Sequence, residues 1–579
     1  LLKEITMPKK LTPTQRLWRI LTVDRKEIRN IYIYAIFNGL ISLSLPLGIQ
    51  AIVGLIQGGR VSTSWVVLVF LVVLGTFLSG VIRIYQLRIT EDLQQKIFTR
   101  AAFEFSFRIP RIRMESLNNH YAPELMNRFF DVGSVQKGLS KILLDFSSAF
   151  FLIVFSLLLL SFYHPFFILF GVILVVLVYV IFVFTAQKGM ETSLEESKFK
   201  YKVAHWLQEI ARTANTFKLS GETDLPLRKT DTLVNKYLTA RDSHFRVLVK
   251  QFSLLVAFKV IVAAGLLVIG GILVMEQQMN IGQFVAAEII ILTVLASVEK
   301  LILSLDSIYD ILTSLEKIGF VTDLPMERET GRDLPTTSPS EGIRVQLKEV
   351  SFSYNDCTDP VLKKVTLDIP PRTLTIITGN TGSGKTTLLH VIAGLYESQG
   401  GTITYNGLTL GNLSLPSIRG VIGEYVSLEK LFEGTVTENI TLGRPNVSFA
   451  QLQWAIENLG LAGFIESLPQ GYDTVISTQG KNLPENIVTK LLVARCIVDK
   501  PKLVLLDHTF EHLDTSSARK IIDFLTRPEH PWSIVAISTN RYFARRADKV
   551  ILLEKGSIKQ EGTYEELKDI AGFKTDSHA

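Results

Sequence analysis

"LTIITGNTGSGKTTLLHVIAG" (residues 374–394) runs from a β-branched strand through a glycine-rich turn into a helix. Within it, Gly379-Asn380-Thr381-Gly382-Ser383-Gly384-Lys385-Thr386 has the spacing of a phosphate-binding loop, with Thr387 next in line. Glycines let consecutive backbone N–H groups curl around phosphate oxygens, and the helix N-terminus adds the positive end of its dipole. Lys385 is placed to reach the β- and γ-phosphates and Thr386 to ligate magnesium. The strand–loop–helix order predicts an α/β domain built on a parallel sheet.

A second apolar strand lies in "PKLVLLDHTFEHLD" (501–514) and ends at Asp507. A parallel sheet places such a carboxylate on the magnesium side of the loop. The next residue is His508, at the point where a nucleotide hydrolase uses an acid to aim its attacking water. Upstream, "VSFSY" offers Tyr354 as a ring to stack on a base, although a tyrosine in a strand is as readily a core residue.

The other half of the chain is of a different kind. Of 579 residues, 47% are hydrophobic and only 20% charged, and the charges are unevenly spread, which predicts a membrane half and a soluble half. Residues 30–59, 61–82 and 146–187 contain no Asp, Glu, Lys or Arg. The third stretch is long enough for two spans, with "SFYHP" (161–165) as the turn between them. A bilayer-spanning helix takes ~20 apolar residues, and further runs at 260–275 and 281–298 bring the total to six helices. The first run starts near residue 30 and is too long for a cleavable signal. Segments 83–141 and 188–250 are rich in Lys and Arg, whereas 57–64, 161–165 and 276–280 carry only Arg60 and Glu276. The long segments and both termini are therefore expected in the cytoplasm, in an integral multi-pass protein of the plasma (inner) membrane. They read as helices that continue beyond the bilayer and turn back within 114–132 and 213–224. "PTQRLWRILTVDRKEIRN" (13–30) reads as an amphipathic helix on the inner leaflet, with Trp18 at the interface.

The expected boundaries are a transmembrane domain over 1–320, a linker over 321–342 and a nucleotide-binding domain over 343–579. Glu288 interrupts the last apolar run. A carboxylate at that depth marks a candidate substrate path, or else faces a water-filled cavity or a polar neighbour. Arg83 and Lys259, near helix ends, read as side chains reaching for the interface. The net charge of +6 comes from membrane flanks and is not grouped with aromatics on one soluble face, which sets nucleic-acid binding aside. Cys357 and Cys496 have neither metal-ligand nor redox spacing.

Six spans, long intracellular helices, Tyr354, the phosphate loop, "LFEGTVTENI" (431–440), "GYDTVI" (471–476), "VLLDHTFEHLD" and "GSIKQEGTYEEL" (556–567) occur in one order. The chain resembles a half-size ABC exporter, one membrane domain fused to one nucleotide-binding domain, and the type-I-secretion-like branch in particular. The resemblance implies a domain-swapped dimer with a second half-transporter, identical or different, and twelve membrane helices. It also implies coupling helices near 118–125 and 213–220, and two molecules of ATP with Mg2+ between facing domains. A periplasmic adaptor protein follows only by analogy with that branch.

Four positions depart from the family pattern. His508 replaces the catalytic glutamate. Leu483-Pro484-Glu485-Asn486-Ile487 stands where the family has LSGGQ. The Q-loop glutamine falls at Ser427 and the switch histidine at Asn540. Pro484 removes a backbone donor, and Glu485 brings a negative charge to a site that meets a partner's γ-phosphate. Together these losses predict a chain that binds ATP and hydrolyses it weakly or not at all. The alternatives are a pseudo-ATPase that scaffolds or gates a larger envelope complex, and an active exporter in which His508 serves as the base.

Overall fold

The computed structural model describes residues 11–57, 63–118, 122–335, 342–354, 359–425, 430–569 and 573. The chain divides into two compact units, residues 1–111 with 120–324 and residues 112–119 with 325–579.

In the first unit, six helices among the described residues are long and apolar enough to cross a membrane: Arg25–Gln57, Thr63–Arg111, Pro123–Ser161, Phe166–Arg212, Leu225–Met275 and Ile281–Thr322. A helix of 47 residues such as Phe166–Arg212 is roughly 70 Å long, against a hydrocarbon core of about 30 Å. The basic stretches 83–141 and 188–250 are thus largely absorbed into extended helix. Short helices stand at the turning points, at Ala122–Asn127 and Ala214–Leu219 in this unit and at Met114–Leu117 in the second.

The interruptions have local causes. The first span breaks between Ser42 and Ser44, because Pro46 has no N–H to offer the Ser42 carbonyl. The third and fourth spans are separated at the expected turn: the helix ends at Ser161 and the next starts at Phe166, capped by Pro165. The sixth span is the most enclosed. Its Ala287, Ile290, Val294 and Val298 are buried against Leu160, Phe167 and Leu255 from neighbouring helices.

Two expectations for this unit change. The amphipathic helix expected over 13–30 stops at Val23, because Asp24 leaves helical geometry and its carboxylate takes two bonds from Arg100, at 2.6 and 2.8 Å. Lys259 does not reach out alone but forms an ion pair with Glu299 on the sixth span. Arg83 lines a polar cavity. Trp18 is 69% exposed. Glu288 is partly exposed and, among the described residues, makes no hydrogen bond or ion pair.

The second unit is built on two sheets. The strands are β1 (Val345–Phe352), β2 (Leu362–Ile369), β3 (Leu374–Thr378), β4 (Gly400–Tyr405), β5 (Leu408–Thr409), β6 (Ile422–Tyr425), β7 (Gly434–Thr435), β8 (Val475–Ile476), β9 (Leu503–Asp507), β10 (Ser533–Ile537), β11 (Lys549–Glu554) and β12 (Ser557–Gly562). A four-stranded antiparallel sheet has the order β2-β1-β4-β5, and a six-stranded sheet has the order β12-β11-β3-β10-β9-β6. In the larger sheet β11, β3, β10, β9 and β6 run parallel. Its three central strands β3, β10 and β9 are buried at every residue, as continuous apolar runs covered on both faces must be. β7 and β8 form a separate small ladder. Residues 112–119 belong to this unit: Glu115 accepts from the Glu397 N–H at 3.1 Å, and the Asn118 amide bonds the Tyr396 hydroxyl at 2.8 Å.

Candidate functional site: a phosphate cradle with a carboxylate beside it

Because β3, β10 and β9 are parallel neighbours, their carboxyl ends open on one edge of the sheet. Residues 379–384 leave β3 there and turn into the helix Lys385–Ile392. The turn depends on glycine at two points. Gly379 has φ +144°, and a Cβ there would stand 2.1 Å from the Leu553 carbonyl oxygen; Gly384, at φ +97°, lies against the Val361 carbonyl.

A cavity of about 350 Å³ opens over this loop, bordered by Gly379, Thr381, Gly382, Lys385, Thr386 and His508, among others. The Lys385 ammonium bonds the carbonyl oxygens of Gly379 and Asn380, both at 2.8 Å. Partial burial lowers its pKa below the usual lysine value, while Asp507 opposes the shift. Ser383 is buried beneath the loop. Thr386 Oγ1 donates to Asp507 Oδ2 at 2.9 Å, and Asp507 is itself buried at the end of β9. A threonine hydroxyl and a carboxylate held together are the oxygen donors a hard Mg2+ ion takes. When bound, the ion would neutralise phosphate charge beside Lys385. Tyr354 sits at the neighbouring edge, its hydroxyl 3.0 Å from Thr387 Oγ1 and its ring set edge-on to Phe352 and Tyr396.

His508 comes to the same cavity. Its backbone is left-handed, with φ +49°, and its N–H donates to the Ile537 carbonyl at 3.1 Å. Its ring Nδ1 is 2.8 Å from Glu511 Oε1, and Nε2 is 3.8 Å from Asp507 Oδ1. Asn540 does not border the cavity. It caps the helix Arg541–Ala544, its Oδ1 accepting from the Phe543 N–H at 3.1 Å. Ser538 and Thr539 line the cavity instead. They went unread in the sequence, although the polar residues that close a buried strand in "SIVAISTN" mark the same sheet edge.

Pro484, Glu485 and Asn486 lie away from this cavity, at the start of the helix Glu485–Ile497. Pro484 is the cap, and Glu485 is the first helical residue, 71% exposed, with its Oε1 3.2 Å from His512 Nδ1. The Asn486 side-chain oxygen is buried and finds no partner among the described residues. Asp514 caps the helix Thr515–Leu525, accepting from the Ser517 N–H at 2.9 Å and the Ser516 hydroxyl at 2.8 Å, and these bonds hold its carboxyl well below the usual range. Ser427 and Cys357 lie outside the described residues; Cys496 is buried.

Comparison with known proteins accounts for both units. Residues 28–298 match the ABC transporter transmembrane region, and residues 362–511 match the ABC transporter domain. The chain is 30% identical over 261 residues to the uncharacterized ABC transporter ATP-binding protein YfiC of Bacillus subtilis, a match covering 45% of this chain and 43% of that protein. It is 28% identical over 297 residues to the alpha-hemolysin translocation ATP-binding protein HlyB of Escherichia coli O157:H7, covering 51% and 41% respectively. These alignments span less than half the length of either relative. A solved bacterial Atm1-family ABC exporter with ATP bound superposes with a TM-score of 0.75 at 18% identity, covering 95% of this chain and 96% of that one. The ABC transporter domain implies ATP binding, with Mg2+ as its usual partner. The chain is thus an integral membrane protein with the architecture of a half-size ABC exporter, an ABC transporter transmembrane region followed by an ATP-binding domain.

Proposed function

We propose that this chain is one half of a dimeric exporter whose own nucleotide sites bind ATP and turn it over weakly or not at all. The ATP-binding unit and both termini face the cytoplasm. Within the exporters, the likeness to HlyB supports the type-I-secretion-like branch.

The observation that carries this reading is the position of Glu485 as the first residue of its helix. In the family this helix N-terminus faces the partner's γ-phosphate. Its value there is a set of unpaired N–H donors and a positive dipole end. A carboxylate in the first turn neutralises that end from within the chain and repels the incoming phosphate. With His508 in place of the hydrolytic carboxylate and Asn540 engaged as a helix cap, little is left to position water for in-line attack. Steady-state hydrolysis by purified protein in lipid, with ATP affinity measured on the same sample, tests the reading. Binding without turnover supports it and directs attention to a partner that the nucleotide gates; turnover at ordinary exporter rates overturns it.

One observation favours a second reading. His508 borders the phosphate cavity while Glu511 fixes its Nδ1, the arrangement by which a carboxylate orients a histidine base. On that reading His508→Ala abolishes a turnover that the wild type displays.

A further inference from the structure

We propose that the first unit carries a binding pocket for an amphiphile with an anionic, phosphate- or carboxylate-bearing headgroup, at the charged end of its first, second, third and sixth spans. This names a ligand class for the exporter reading above and rests on that reading.

The pocket is a cavity of about 350 Å³ whose polar lining includes Asn38, Ser79, Arg83, Asp145, Ser148 and Lys300. Four stretches of helix contribute: Asn38 from Arg25–Ser42, Ser79 and Arg83 from Thr63–Arg108, Asp145 and Ser148 from the π turn and helix over 142–161, and Lys300 from Ile281–Thr322. Lys300 follows the apolar run 281–298 by two residues, and Arg83 follows the charge-free run 61–82 directly, so the two cations stand at the same depth of their spans.

A lone arginine or lysine at a span end needs no ligand, since its stem lies along apolar surface and its head reaches water. Here the two cations converge on one cavity together with hydroxyl and amide groups. Lys259, beside the apolar run 260–275, is by contrast closed by Glu299. Among the described residues, Arg83, Asp145 and Lys300 form no ion pair and no side-chain hydrogen bond. Asn38 is held by its Oδ1, which accepts from Ser79 Oγ at 2.5 Å, and this leaves the amide N–H groups as donors.

The lining selects a chemistry. A guanidinium presents a planar fork that matches a carboxylate or phosphate with two bonds, and an ammonium beside it adds a second charge. Asp145 repels a further negative charge, so a headgroup bearing a single phosphate or carboxylate fits better than a polyanion. The volume accommodates a headgroup and not its acyl chains. Leu87, Leu144 and Leu152 also line the cavity and give those chains apolar surface along the helices.

The test measures retention of a fluorescent phosphatidic acid, relative to the matching phosphatidylcholine, on full-length protein purified in mixed micelles. Arg83→Gln combined with Lys300→Gln is expected to lower that preference about tenfold, as the loss of two charge-assisted contacts would. Asp145→Asn is expected to raise it. Arg88→Gln removes an exposed cation of the same helix outside the cavity and is expected to leave it unchanged. Displacement of the probe by millimolar inorganic phosphate supports a site for the anion alone, and binding that phosphate does not displace supports a site for headgroup and chain together. Equal preference in wild type and double variant overturns the proposal, as does an equal loss in Arg88→Gln. Where the double variant does not fold, an unchanged preference in Asp145→Asn overturns it. ATP affinity measured on the same samples is read separately, so a negative lipid result leaves the nucleotide reading untouched.

Discussion

His508 Nδ1 stands 2.8 Å from Glu511 Oε1, one turn along the segment that follows β9. The His508 ring is therefore held by a carboxylate of its own chain at the border of the phosphate cavity. If the chain is a weak hydrolase, this pair is structural. His508→Glu alone then keeps turnover within about threefold of the wild type, because the helix beginning at Glu485 still opposes closure, and Glu511→Gln changes it less than about twofold. Steady-state phosphate release in lipid checks both. A large loss in Glu511→Gln, matching that of His508→Ala, would make the pair a working base.

Lys385→Ala is expected to weaken ATP binding by about a hundredfold or more, since its ammonium is the lysine or arginine charge that the described residues bring to the cradle. Its present bonds are to two carbonyls of the loop, and their loss leaves the sheet intact. Equilibrium binding of a fluorescent ATP analogue, with circular dichroism as the control for folding, reads the effect.

Glu485→Gln removes the charge at the helix start without changing its size. ATP-dependent association of two chains is expected to rise about tenfold, which corresponds to ~1.4 kcal/mol of relieved repulsion. Cross-linking yield at rising ATP concentration measures it, and an unchanged yield would show that this helix start does not meet nucleotide.

His530 ties acid sensitivity to the second unit. The ring is buried against Trp532, with centroids 4.1 Å apart, and its Nε2–H donates to the Phe524 carbonyl at 2.9 Å. Burial pushes its pKa below the usual histidine value. Below about pH 6.5 the unfolded chain takes up a proton that the folded one resists, so the unfolded state binds more protons and stability falls as pH falls. The loss is complete once pH lies below the folded-state value. Thermal denaturation between pH 7.5 and 5 is expected to show a falling midpoint, and His530→Phe to flatten that dependence.

Much of this architecture is legible in the chain because its signals are local. Charge-free runs mark the spans, and the glycine spacing of 379–386 marks the cradle. "VLLD" marks a buried strand with a carboxylate at its exit, and the Thr386–Asp507 contact follows from sheet order alone. What escapes is what depends on distant partners. Nothing in the sequence around Lys259 announces Glu299, and nothing around Asn540 shows that its side chain is spent on capping the next helix. The convergence of Arg83 and Lys300 is likewise invisible, since the two residues are far apart in the chain and each alone looks like a span end.

The helices that outrun the bilayer act as levers. Of the roughly 70 Å of Phe166–Arg212, about 40 Å lies beyond a hydrocarbon core ~30 Å thick. Tilting such an arm by about 5° at the membrane surface carries its tip about 3.5 Å, enough to form or break a hydrogen bond. Length alone makes the turning points sensitive to small motions among the spans, and makes the spans answer to small displacements of the turns.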